Sequence, residues 1–200
     1  VDSGDPGDER ERLLAAISRA AAEHGYDKLT VEHVTRYAGV PSATFYKHFA
    51  DTEQGLMLAF DAYLDRLWVE VYAVCETEAD WPRKVRAALD VTLSFLSESS
   101  AVARVFAIEA AAVNLAATER QLTTVESFAA LLREGRRLYP RAAGLPAATE
   151  RTLIGGIASI VSGHLLAEEP RVLTSLEPQL TELVLMPYLG QTEARRVASA

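Results

Sequence analysis

The chain has 200 residues, 49% of them hydrophobic, which is enough to bury a substantial core and excludes a disordered protein. Its net charge of −8 weighs against a nucleic-acid binder, because Lys and Arg neutralising phosphates supply most such affinity. The single cysteine, Cys75, excludes an internal disulfide and a Cys-based zinc site, and a reducing cytoplasmic setting is expected.

Residues 1–8, VDSGDPGD, read as a disordered lead-in. Beyond them apolar positions recur at helical spacing and nothing alternates with period two, so the expectation is an all-α chain of about nine helices. The first carries Leu13, Ile17, Ala20 and Ala21 on one face. Thr30 precedes the second, 31–38, where its hydroxyl can cap the first turn, and Glu32 suits the positive end of the dipole. Gly39 stands where a left-handed residue ends a helix, and Pro41 keeps Val40 extended, so the chain turns sharply before a third helix over 42–49. Val34, Ala38, Val40, Phe45 and Phe49 face inward. That leaves Ser42, Ala43, Thr44, Tyr46, Lys47 and His48 for solvent or for DNA.

Two short helices around a sharp turn form a helix-turn-helix, whose second member enters the major groove. Tyr46 and Lys47 suit phosphates, while the methyls of Thr44 and Ala43 can meet a thymine methyl. The spacing alone is equally compatible with an ordinary helical hairpin whose polar face is solvated.

A long fourth helix follows over 52–75, then helices over 82–97, 101–114, 116–138, 147–168 and 172–189, with a tail after Gly190 expected to be disordered. The longest apolar tract, TLIGGIASIVSGHLLA from Thr152, contains His164 and small polar residues and falls short of the roughly 20 residues of a membrane span. No signal peptide or membrane anchor is expected. No serine elbow, dinucleotide fingerprint, P-loop or zinc-protease motif occurs, which argues against an enzyme.

From Glu11 to about Asp65 the chain resembles the TetR family of transcriptional regulators. The resemblance rests on AAAEHGYDKLT, then VEHVTRYAGVPSATFYKHFAD, then the long linking helix. It implies a DNA-binding domain over 9–51, with Thr30, Ser42, Thr44, Tyr46, Lys47 and His48 as contacts and Arg36 as an addition from the second helix. It also implies a ligand-binding and dimerisation domain over 52–190, and a tail over 191–200. Three departures stand out: Thr52 where the family usually has lysine, Gly55 where it has leucine, and Glu32 where arginine or a polar residue is common. Gly55 is expected to soften the link to the fourth helix. Between His24 and Ala50, Lys28, Arg36 and Lys47 stand against Asp27 and Glu32, a mildly basic head that predicts few phosphate contacts.

By the same resemblance, Ile154, Ile157, Ala158, Val161 and Leu165, interleaved with small residues, together with Leu180, Leu183, Val184 and Pro187 of the last helix, should pair with their symmetry mates as the four-helix bundle of a homodimer; the alternative is that both stripes face the monomer's own core. Such a dimer would span a near-palindromic double-stranded operator. Trp68, Tyr72, Phe95, Phe106, Ile108, Phe128 and Leu131 can line a pocket for a small apolar effector, with Thr92, Glu109 and Asn114 as polar anchors, although plain core packing is the simpler role for each aromatic. Arg104 is a natural partner for Glu109, and His164 with Glu168 is a weak metal pair. The expectation is a ligand-responsive repressor with no cofactor and no resident metal. The alternative is a helical protein-interaction module without DNA binding.

Overall fold

The computed structural model describes residues 6–111 and 115–200, with side chains described over 7–107 and 122–200. Among the described residues there are eleven α-helices and no strand. They are α1 (Pro6–His24), α2 (Val31–Ala38), α3 (Ser42–His48), α4 (Thr52–Thr77), α5 (Trp81–Glu98), α6 (Ser100–Ala111), α7 (Leu115–Leu138), α8 (Thr149–Leu166), α9 (Pro170–Ser175), α10 (Glu177–Leu189) and α11 (Gln191–Ala198).

Three boundaries differ from the sequence expectation, each for a local reason. Part of the lead-in is helical: α1 begins at Pro6, with Asp8 and Glu9 in its first turn, where negative charge favours the helix start. The expected last helix is divided, because Pro178 has no N–H to continue a ladder and sits in the first turn of α10, separating it from α9. The tail after Gly190 is helix α11. Gly190 turns the chain at φ 81°, and Ala194, Val197 and Ala198 then bury one face of α11 against α10. Arg195 reaches Glu182 at 3.0 Å and Arg196 reaches Glu193 at 2.6 Å, satisfying the polar face.

Helices α1 to α3 and the start of α4 form a small closed head. Leu13, Ile17, Ala20, Ala21, Val34, Phe45, Phe49 and Leu56 are fully or almost fully buried in its core. Gly55 lies at the crossing: a Cβ there would sit 2.9 Å from Ile17 Cδ1 and 3.7 Å from both Phe45 Cζ and Phe49 Cγ. The glycine therefore brings α4 close onto α1 and α3 and does not loosen the joint.

The larger bundle packs α4 along α5, α5 against α9 and α10, and α7 against α8, while α6 touches both α8 and α1 of the head. Its buried charges are neutralised locally. Glu150 accepts from Arg136 at 2.6 and 2.9 Å and from the Tyr188 hydroxyl at 2.9 Å, and Arg136 also donates to the carbonyls of Leu145 and Pro146. Burial pushes the Glu150 carboxyl up, but the bonds from Arg136, the backbone and Tyr188 together hold it below its ordinary value. Glu177 takes Arg86 at 3.1 Å and Thr181 at 2.9 Å. Trp81 donates its indole N–H to Leu131 O at 3.0 Å. The ring lies so close to α7 that a Cβ on Gly135 would come within 2.4 Å of it.

Candidate DNA-reading head and effector cavity

The turn that aims α3 follows from the residues named above. Thr30 Oγ1 accepts the His33 N–H at 3.2 Å, capping α2, and Gly39 ends that helix in the left-handed region at φ 68°. Asp51 caps α4 by accepting the Gln54 N–H at 2.7 Å, and the Gln54 side chain returns to Ala50 N at 2.7 Å. The seven-residue α3 is thus clamped at both ends.

Ser42, Ala43, Tyr46 and Lys47 all point to solvent, with Tyr46 60% exposed, and Thr30 and Arg36 are exposed beside them. Thr44 does not share that face. It is 8% exposed, because Thr44, Phe45, His48 and Phe49 make up the inward stripe of so short a helix. His48 is half-buried, its Nε2 3.0 Å from Glu9 Oε1, so α1 holds it from behind. Arg36 donates to Glu32 at 3.1 Å one turn earlier, which offsets the only Lys or Arg charge of α2. Of the expected contacts, Ser42, Ala43, Tyr46 and Lys47 are brought together on one accessible surface, flanked by Thr30 and Arg36, and Thr44 is withdrawn from it.

The second site is an apolar cavity of about 360 Å³, partly open to solvent and bordered by α4, α5, α6, α7 and α8, with Val184 of α10 on its wall. Phe106, Phe128, Leu131 and Thr92 line it. Phe95 does not: it packs on Tyr63 at 4.8 Å between ring centroids, one layer behind the wall. Trp68 also lies off the wall, one position round α4 from Leu67. It stacks on Phe128 at 4.4 Å, and Tyr72, 57% exposed, extends that stack outward. The side chains of Ile108, Glu109 and Asn114 lie outside the described residues. Tyr63 closes the wall with its hydroxyl 2.6 Å from Ser99 Oγ, and burial pushes its pKa up to about 12.

The stripe expected to pair with a second copy faces inward. Ile154, Ile157, Ala158, Val161, Leu165 and Val184 line the cavity, and Leu180 is buried beside them. Those positions fill the bundle's own interior because α8 is apolar on two sides. Its outer side consists of Gly156, Ser159, Ile160, Gly163 and Leu166, all exposed; on α10, Leu183 and Met186 are exposed and Pro187 is half-buried. A Cβ at Gly155, Gly156 or Gly163 would meet nothing within 4 Å, so nothing in the monomer accounts for three glycines inside one helix. Glu168 binds Arg104, and His164 Nδ1 instead lies 3.2 Å from Glu169. Among the described residues no group of three or more His, Cys, Asp or Glu could hold a metal, and no helix is long and apolar enough to cross a membrane.

Sequence reasoning missed Lys84 and Glu134, which share the cavity wall with Cys75. Burial pushes the Cys75 thiol up; the Lys84 ammonium opposes that shift, and Glu134 and Glu78 add to it. Their only sequence signal is a charge at the helical spacing of an apolar stripe: Lys84 in Trp81, Val85, Ala88 and Leu89, and Glu134 after Leu131.

An exposed helix-turn-helix is thus joined by one long helix to a bundle that contains an apolar cavity. Residues 13–58 match the profile of the bacterial regulatory proteins of the tetR family. The chain is 27% identical over 96 residues to the HTH-type transcriptional activator FasR of Mycolicibacterium smegmatis, a match spanning 48% of this chain and 44% of that protein. Similar folds occur in the fatty acid degradation regulator FadR of Bacillus halodurans (21% identity, 88% of this chain and 97% of that one, TM-score 0.78). Another is FadR of Bacillus subtilis, solved in complex with stearoyl-CoA (20% identity, 90% and 98%, TM-score 0.75). A transcriptional regulator from Rhodococcus sp. is also similar (24% identity, 88% and 96%, TM-score 0.66). Over residues 13–58 the chain thus matches the tetR-family profile, and over most of its length it shares the fold of the solved regulators named above.

Proposed function

We propose that this regulator is a repressor that binds a near-palindromic operator as a homodimer and is altered by an apolar effector of the long-acyl class held in the cavity. The observation that carries the reading is the shared helix α4: its first turns pack on Phe45 and Phe49, and its later turns, from Phe60 to Cys75, wall the cavity. A ligand that favours one arrangement of the wall biases the head by its differential affinity for the two arrangements. Coupling of roughly 1–3 kcal/mol changes operator affinity about 5- to 150-fold. Helix α6 gives a second route, since it touches α1 and contributes Ala103 and Phe106 to the wall.

Tyr46, Lys47, Ser42 and Ala43 act as the reading surface, with Thr30 and Arg36 at its edge. The second copy docks on the outer side of α8 and α10, where the three unaccounted glycines admit a close partner helix and Ile160, Leu166, Leu183 and Met186 supply apolar area. The acyl class is suggested by the apolar walls and by the similarly folded regulator from Bacillus subtilis, which was solved with stearoyl-CoA.

The test selects bound fragments from random DNA with the full chain, then measures affinity for the selected site with and without effector. A palindromic site bound better than random DNA at moderate salt, lost in Tyr46→Ala, and weakened by a ligand that raises the melting temperature, supports the proposal. Equal binding of selected and random DNA overturns the DNA reading. Ligand-strengthened operator binding overturns the repressor mechanism alone.

A further inference from the structure

The cavity holds two charges that its own walls do not neutralise. Lys84 of α5 and Glu134 of α7 are half-buried on an otherwise largely apolar wall, and neither side chain makes an ion pair or a hydrogen bond with any described residue, including each other. The other interior carboxylates of the bundle are fully engaged, Glu150 by Arg136 and Tyr188, and Glu177 by Arg86 and Thr181. Cys75 Sγ, near the C-terminal end of α4, lies 3.8 Å from Lys84 O, and the Trp81 bond to Leu131 O sets the adjoining turns of α5 and α7 that carry Lys84 and Glu134 side by side, so both groups sit towards the end of the cavity farthest from the head. From Phe60 to Cys75 the wall of α4 runs roughly 22 Å at about 1.5 Å per residue, a length suited to an extended chain with its head at the Lys84 end.

An anionic head at that end would satisfy Lys84 and crowd Glu134 and Glu78. A cationic head would satisfy Glu134 and crowd Lys84. Either leaves one charge uncompensated beside apolar walls, which is the costly arrangement. A head that both accepts and donates hydrogen bonds satisfies both groups and preserves the balance of one cation against one anion.

Resting on the effector-cavity reading above, we infer that the effector is electrically neutral: an apolar chain whose head accepts a hydrogen bond from the Lys84 ammonium and donates one to the Glu134 carboxylate, as a primary amide or a hydroxy-ester does. Free carboxylates and coenzyme A thioesters are then the poorer ligands of this chain.

The experiment titrates the full-length protein at neutral pH with dodecanamide, dodecanoate, dodecylammonium and stearoyl-CoA, using calorimetry and melting temperature. Dodecanamide should bind tightest, by about tenfold over either charged dodecyl probe. Glu134→Gln should shift the preference towards dodecanoate, and Lys84→Met towards dodecylammonium, with circular dichroism confirming that both variants fold. A wild-type preference for dodecanoate, dodecylammonium or stearoyl-CoA overturns the neutral-head inference and leaves the cavity as the effector site. Unchanged preferences in both variants overturn the assignment of Lys84 and Glu134. Binding of none of the probes overturns the cavity reading as well.

Discussion

The head and the bundle follow opposite packing rules. In the head, side chains from α1 to α4 meet without room to spare, so that the Cβ missing at Gly55 would already press on Ile17. In the bundle, five helices of ordinary apolar composition stand around about 360 Å³ of hollow space. Protein interiors otherwise pack like organic crystals. A full core is explained by stability alone, whereas a hollow forfeits dispersion contacts and needs another explanation. The contrast separates the part that is packed into one shape from the part that leaves room inside it.

The strongest way to break this contrast is truncation. Phe45→Ala, at a fully buried position, should cost about 3–5 kcal/mol and remove operator binding, measured by denaturant unfolding and gel shift. A cost comparable to that of truncating Phe106, already beside empty space, would mean the head is no better packed than the bundle.

Enlargement probes the same contrast from the other side. Ala20→Leu in the head should destabilise by about 1–3 kcal/mol. Ala88→Leu, on the cavity wall, should cost less than about 1.5 kcal/mol while weakening every alkyl probe. Equal costs in the two places would show that the hollow collapses in solution.

The buried polar groups of the bundle come next. Tyr188→Phe leaves Glu150 one donor short and should cost about 1 kcal/mol in denaturant unfolding. The Glu150 carboxyl is held below its ordinary value, so its contribution is present above the unfolded pKa and lost as pH falls through the folded one. Tyr63 and Tyr188 are shifted upward from 10.0, Tyr63 to about 12. Their contribution is complete below pH 10 and declines as pH rises through the folded values. Melting temperature should therefore fall at both extremes, and Tyr63→Phe should flatten the alkaline limb.

The smallest effect sharpens the description of the head. Glu32→Gln releases Arg36, so operator binding should tighten and its salt dependence steepen by about 0.9 in log–log slope, the increment for one more phosphate contact. An unchanged slope would place Arg36 off the DNA.

The head was legible in the sequence because its signals are local. Thr30 caps, Gly39 turns left-handed, and Phe45 and Phe49 mark the inward side of α3. Thr44 was misread because a seven-residue helix has an inward stripe wide enough to take the neighbour of Phe45. The bundle was less legible because periodicity reports that a stripe is buried and not what buries it. Ile157, Val161 and Leu165 read as a partner surface and instead wall the cavity, whereas Ile160 and Leu166, one-third of a turn away, face outward. Gly190 and the polar run after it suggested a loose end, since the three buried residues of α11 are small and spaced by a single turn.

The absent side chain at residue 55 has a mechanical consequence. With backbone pressed against Ile17 and two phenyl rings a few ångströms away, the reading unit cannot slide along the 26-residue rod that carries it, which is about 39 Å long. It must travel as one body with that rod, so a tilt of only a few degrees pivoting at the far end would sweep the DNA-facing tip through several ångströms with little lost to slack.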